Sequence, residues 1–183
     1  WSPLDLVNDT PVERYTPPDP YGGWADLSTA EPFHPNCDGL RMPNAGGYWH
    51  AVATMPTHAG DDVDLRLHTA SDGAKIGFTD QLAGSFWGGD ASDHVLVNFN
   101  LAPGGFLPYD VGALRSAGTG TYVTESTATG SWLSYPDGIY GPYTMVNGRI
   151  LNLLEMFLPA GQLGIHLMNV DGTVDWGVTL HRA

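Results

Sequence analysis

Residues 42–68, Met-Pro-Asn-Ala-Gly-Gly followed by Tyr48-Trp49-His50-Ala51-Val52-Ala53-Thr54, then Gly60-Asp61-Asp62 and Val63-Asp64-Leu65-Arg66-Leu67-His68, decide the fold. Pro and Gly preset the backbone for a reversal, and the apolar alternation that follows each turn is that of a strand with one buried face. The segment therefore reads as turn, strand, turn, strand: a hairpin-shaped unit. It recurs at the C-terminus, where Leu158-Pro159-Ala160-Gly161 leads into 163–168 and Asp171-Gly172 leads into Val174-Asp175-Trp176-Gly177-Val178-Thr179-Leu180-His181. A looser copy lies between them: Leu101-Ala102-Pro103-Gly104-Gly105 precedes 109–114, and Gly118-Thr119-Gly120 precedes 121–124. One such unit cannot bury its own apolar face, so the copies must pack on one another or on the strands between them.

Working outward, strands are expected at 41–43, 47–55, 62–69, 75–79, 94–101, 108–115, 120–126, 131–135, 143–146, 150–158, 162–169 and 173–181. Helix signals are nearly absent. Ile150 to Leu158 is apolar almost throughout, and its length before Pro159 fits a fully buried strand. Many short strands with regular turn signals predict an all-β protein, an antiparallel, jelly-roll-like β-sandwich over residues 38–183. Residues 1–37 are rich in Pro, which denies ladder hydrogen bonds, and read as an extended arm. Its Trp1, Tyr15, Tyr21 and Trp24 give it apolar area to lie on its own domain or on a neighbouring subunit, where an extended segment can add to a sheet edge.

The formal charge of −13, from 20 acidic and 7 basic residues, and a pI near 4.5 set the chain against nucleic acid and anionic membrane surfaces, which would repel it. Cys37 is the only cysteine, so there is no intrachain disulfide and no Cys-based zinc or haem motif; it reads as a loop thiol. The absence of a long apolar run argues against a transmembrane helix. The chain starts at Trp1 without Met, as a processed chain or a fragment would. Abundant Gly, Pro and aromatics fit an extracytoplasmic β-protein: secreted, cell-surface or periplasmic.

The strand Asp61-Asp62-Val63-Asp64-Leu65-Arg66-Leu67-His68 after a Pro/Gly turn and a strand, and the C-terminal Phe157-Leu158-Pro159-Ala160-Gly161 through His181, resemble the bacterial pre-peptidase C-terminal domain. The resemblance covers about residues 40–183, as tandem or interleaved copies. It implies a compact secreted sandwich without catalysis of its own, appended to exported hydrolases and surface proteins, serving targeting, adhesion or solubility, and binding calcium in some members. With no catalytic domain ahead of the module in this sequence, the expectation is either a fragment of a longer protein or a sandwich that serves as a free-standing subunit.

Three groups of residues stand out for chemistry. Asp61, Asp62 and Asp64 fall within four residues, and Asp90 and Asp93 flank the approach to the next strand. Calcium wants six to eight oxygens, and Asp62 and Asp64 share one face of a strand, so these five are the candidate metal ligands; turn-forming and hydrogen-bonding roles are the alternative. His50, Asp110 and His166 occupy one repeat position and would converge only around a threefold axis, as in a trefoil. The long connections 69–93 and 125–149 carry Trp87, Trp132, Tyr135, Tyr140 and Tyr143, suited either to sugar stacking or to core filling. No G-x-S-x-G nucleophile elbow occurs. The leading expectation is a non-catalytic module acting by contact, with another protein or its own copies as partner. The alternative is a carbohydrate-binding module or glycan-active enzyme with a polysaccharide as ligand.

Overall fold

A computed structural model describes residues 3–16, 37–43, 49–69, 81–89, 91–98, 109–128, 132–133, 148–153, 155–156 and 179 of the chain. Eleven strands are formed: β1 (Leu4–Asp5), β2 (Val12–Tyr15), β3 (Cys37–Arg41), β4 (Trp49–Pro56), β5 (Asp62–Thr69), β6 (Gln81–Ser85), β7 (Asp93–Asn98), β8 (Tyr109–Ala117), β9 (Thr121–Ala128), β10 (Trp132–Leu133) and β11 (Glu155–Met156). No helix occurs among the described residues, as the lack of helical periodicity predicts. Two sheets make the sandwich, one ordered β1-β3-β8-β5-β6 and the other β2-β9-β4-β7, with β10 and β11 a separate parallel pair. Within the two large sheets only β1 and β3 run parallel.

The expected hairpins are something else. β4 and β5 follow one another through the turn at 57–61 but lie in different sheets, and so do β8 and β9 through 118–120. Each repeat unit thus crosses from one layer to the other. Its partner is the other unit: β4 pairs β9 from His50↔Ala128 to Pro56↔Tyr122, and β5 pairs β8 from Asp62↔Ala117 to Thr69↔Tyr109. Local turn residues specify a reversal of direction; they do not say which sheet the chain re-enters. The need for the units to bury each other is met by this cross-pairing. The third unit, residues 158–181, lies outside the described residues except for residue 179.

The alternation read in β5 sends Val63, Leu65 and Leu67 into the space between the sheets, where they meet Leu40, Tyr109, Val111 and Ala113 of their own layer and Val52, Val95, Val97 and Tyr122 of the other. Burying Tyr122 strands a phenol, and its hydroxyl donates to Asp38 at 2.6 Å. Asp38 also accepts two bonds from Arg14, so a buried carboxylate on β3 ties together β2 and β9 of the opposite sheet.

Other expectations change. Residues 3–16 of the arm supply one outer strand to each sheet, β1 beside β3 and β2 beside β9 of the same chain. The Asn8 to Ser126 bridge adds to this attachment. Cys37, read as a loop thiol, opens strand β3, which runs from 37 to 41 rather than from 41 to 43. Gly39 faces Gly112 across the β3–β8 ladder, and with two glycines the pattern of alternating side chains that would announce a strand is missing. Inside the long connection 69–93 stands β6, an outer strand whose sequence Gln81-Leu82-Ala83-Gly84-Ser85 shows little apolar alternation. Residues 150–153 are not a strand; β11 covers only Glu155–Met156. The Ile150 and Leu151 amides instead donate to the buried Glu125 on β9, which also accepts from Arg149 Nε at 2.6 Å.

The two crossovers touch. Gly118 has φ +78°, and a Cβ there would fall 2.6 Å from Asp61 Cα and 2.7 Å from Gly60 O, whereas at Gly60, with φ +82°, a Cβ would meet nothing within 4 Å. Both substitutions by Ala force an L-residue into the left-handed region, at about 1–2 kcal/mol. Gly118→Ala adds an overpacking cost of about 1–3 kcal/mol that Gly60→Ala does not. Urea denaturation should show Gly118→Ala at least ~1 kcal/mol less stable than Gly60→Ala. Equal losses would mean that the crossovers are not in close contact.

Candidate metal centre and aromatic loop

Of the five aspartates marked by the sequence, three come together. Asp62 and Asp64 sit two residues apart on β5, hence on one face of the strand, and Asp93 opens β7 of the other sheet. Each offers a carboxylate oxygen within 4.8 Å of the others, and this is the single such group of three potential ligands among the described residues. Asp90 lies outside the described residues. Asp61 has a different task. Its carboxylate accepts from the Thr119 amide and, at 2.6 Å, from the Thr119 hydroxyl, so it caps the neighbouring crossover. It is a turn residue in a literal sense: its backbone has left the strand, and alternation no longer aims its side chain.

The trio differs from the other buried acids in what faces it. Asp38 is paired with Arg14, Asp110 with Arg41 at 2.8 Å, and Glu125 with Arg149. Asp93 is wholly inaccessible, and one of its oxygens, Oδ1, accepts from Ser85 Oγ at 2.6 Å and from the Trp87 amide at 3.0 Å. The other, Oδ2, is buried without any hydrogen-bond partner, as is Oδ1 of Asp62. Asp64 accepts a short bond from Ser116. No arginine or lysine forms an ion pair with Asp62 or Asp93 among the described residues.

This crowding sets the proton affinities. Burial, and then the charge of Asp64, hold Asp62 above the usual carboxylate range; burial also raises Asp93 against the opposing bonds from Ser85 and Trp87, with Asp64 and Asp62 adding to the rise. Asp61 goes the other way, lowered by its bonds to Thr119.

The carboxylates also hang a loop. The Trp87 amide is bound to Asp93, so the segment 86–89 between β6 and β7 is fastened to the trio at its start. Gly89 turns the chain with φ +77°. Leu82, Phe86 and Trp87 are exposed here at 40, 51 and 64%, and the Arg66 guanidinium lies 5.1 Å from the centre of the Phe86 ring.

The remaining candidates separate. His50 is buried on β4 and Asp110 on β8, in opposite sheets of a sandwich rather than around a threefold axis, and no group of three potential ligands among the described residues contains a histidine. Asp110 instead faces Arg41 on one side and His68 on the other across the ladder. Tyr15 is exposed on β2, and Trp132 lies on β10 in register with Glu155. Trp1, Tyr21, Trp24, Tyr135, Tyr140, Tyr143 and His166 lie outside the described residues. Sequence reading missed Ser85, Ser116 and the Trp87 amide as partners of the trio; Ser116 is 52 residues from Asp64, and Ser85 and Trp87, though within 8 residues of Asp93, carry no local pattern that marks them.

For Asp62 and Asp93, whose folded-state values are raised, the stabilising contribution is complete below the unfolded value of 3.8 and is lost as pH climbs through the raised values. In chelator, Asp62→Asn/Asp93→Asn should therefore melt above wild type at pH 7, by about 2–4 °C for each ~1 kcal/mol recovered in a domain of this size. The advantage should shrink toward pH 4, as the wild-type acids protonate. A double variant that melts lower than wild type at pH 7 would refute the crowding.

No known protein-family pattern matches this chain, and no curated protein does. Among solved structures, it is similar to the pre-peptidase C-terminal domain of collagenase from Bacillus anthracis, with 15% sequence identity over 69% of this chain and 95% of that one, at a TM-score of 0.43.

Proposed function

We propose that this chain is a non-catalytic, extracytoplasmic β-sandwich that works by contact, as an adhesion, assembly or accessory module, and that its contact face is the patch of Leu82, Phe86 and Trp87. The observation behind this reading is the exposure of three large apolar side chains on one outer strand and the loop that follows it, with Gly88 and Gly89 leaving the surroundings of Trp87 uncluttered. Aromatic side chains of this kind supply much of the energy of protein contacts, because a rigid ring hides a large area at small entropic cost. No described helix is long and apolar enough to cross a membrane.

A second reading, recognition of a polysaccharide, is favoured by Trp87 itself, whose exposed indole face can stack on a sugar ring while nearby acids take hydroxyl bonds. One set of measurements separates the two. The purified chain, Trp87→Ala and Phe86→Ser/Trp87→Ser are compared by sedimentation equilibrium over a range of concentrations and on a glycan array. Self-association weakened at least tenfold in the double variant supports protein contact through the patch. A glycan signal lost with Trp87→Ala supports the sugar reading. Association or glycan binding that all variants retain refutes the patch as the contact face.

A further inference from the structure

We propose that the outer edge of β6, continued by Phe86 and Trp87, receives an extended, basic segment of another protein as an added strand, with a lysine or arginine of that segment seated on the Trp87 ring. This rests on the reading of Leu82, Phe86 and Trp87 as the contact face and gives their partner a form and a charge.

An outer strand presents a row of backbone donors and acceptors to solvent, and proteins blunt such edges with charges, with prolines or by keeping the strand very short. Among the described outer strands, β1 is two residues long and ends on Asp5, β2 carries Glu13 and Arg14, and β7 opens on the buried Asp93, an inward charge. β6 is the exception. Its sequence Gln81-Leu82-Ala83-Gly84-Ser85 has no charge and no proline, and among the described residues it pairs with β5 alone. The register is broken only toward Gln81; Ala83, Gly84 and Ser85 face Leu67, Arg66 and Leu65 in regular order. Ala83 packs on the core, Gly84 is exposed, and Leu82 and Phe86 stand exposed on either side of it in the chain. An uncharged, regular edge with apolar side chains at both ends is the kind of strand to which an extended segment adds.

Charge selects the occupant. The chain carries 20 acidic against 7 basic residues, and the stretch 81–98 has Asp90 and Asp93 but no lysine or arginine. Like charge sets this surface against a second copy, and opposite charge favours a basic partner. Trp87 offers the seat: it is exposed, Gly88 and Gly89 beside it carry no side chains, and a cation over an indole face is attracted by the ring's quadrupole. The chain makes one such contact within itself, where the Arg66 guanidinium stands 5.1 Å from the Phe86 centroid. The bond from the Trp87 amide to Asp93 fixes the backbone two residues past the end of β6. An added strand advances ~3.3 Å per residue, so a segment of about seven residues runs from Gln81 to Trp87. A sugar stacks on the same ring but brings neither a strand's backbone nor a positive charge.

The test uses the whole chain and a fluorescently labelled, capped nonapeptide of alternating lysine and valine. Anisotropy titration should show binding, at least tenfold weaker when glutamate replaces lysine. Binding should also weaken at least tenfold when the peptide is N-methylated at every residue, which removes its ladder donors and keeps its charge. Trp87→Ala and Leu82→Ser/Phe86→Ser should each weaken the lysine peptide at least tenfold, while Val7→Ser, at an exposed position between β1 and β2, changes nothing. All four positions are exposed, and circular dichroism reports whether each variant is folded. Amide hydrogen exchange at 82–85 should slow at least tenfold with the peptide bound. No binding of the lysine peptide, binding that N-methylation leaves unchanged, or exchange at 82–85 that does not slow overturns the added strand. Equal binding of the lysine and glutamate peptides overturns the basic partner. Patch-dependent association or glycan binding in the measurements above, with no peptide bound, refutes the strand and leaves the contact face standing. A peptide held equally by every variant refutes the contact face as well.

Discussion

The bond from Asp61 to Thr119 joins the two places where the chain passes between layers. Both crossovers, β4 to β5 and β8 to β9, lie at the same end of the sandwich, and the carboxylate of one caps the amide and hydroxyl of the other. Pairing β4 with β9 and β5 with β8 requires the two units to be aligned in both sheets at once. A slip of one residue in either ladder would turn Val63, Leu65 and Leu67 away from the core. The Asp61 cap, reinforced by the close approach of Gly118 to the Gly60 backbone, fixes that alignment from the end where both ladders begin.

Away from this end, ion pairs join distant parts of the chain. Arg14, with the Tyr122 hydroxyl, reaches Asp38 and ties the layers, and Arg149 reaches the buried Glu125 and the exposed Asp9. Such pairs are poor sources of net stability, because desolvation offsets much of the attraction, but breaking one side leaves a charge stranded. They restrict which segments can lie together. The segment 149–151 is held across β9 in this way, with both carboxylate oxygens of Glu125 occupied by arginine and backbone amides.

These features were unequally visible in the sequence. The alternation of β4, β5, β7, β8 and β9 is plain in the residues, and with it the all-β class, since burial on one face leaves a period of two wherever a strand has an outer side. The face shared by Asp62 and Asp64 followed from the same period. The sheet to which each strand belongs did not, because a turn of Gly and Asp looks alike whether the chain folds back beside itself or steps across to the other layer. Outer strands were hidden too. β6 has a neighbour on one side only within its ordered sheet, so Gln81, Gly84 and Ser85 serve where a central strand would need apolar residues. Asp61 was grouped with its neighbours by proximity along the chain, yet one residue before the strand its side chain answers to the turn. The partners of Asp93 arrive from β6 and the loop, and could be known only once β6 was placed.

The ordering of the sheets explains why the carboxylate trio stands where it does. A sandwich of two open sheets has two sides at which the layers part, and here each side is closed by a stretch of chain that runs from the outermost strand of one sheet to the outermost strand of the other: β1 to β2 on one side, β6 to β7 on the other. Each closure brings a buried aspartate to the seam. On the first side Asp38 meets Arg14 and Tyr122, so the seam is electrically balanced by the protein itself. On the second side Asp93 meets Ser85 and a backbone amide, with Asp62 and Asp64 beside it. The residues placed over this second closure are the exposed Phe86 and Trp87, so the seam where the layers part is also where the chain turns its largest rings to solvent.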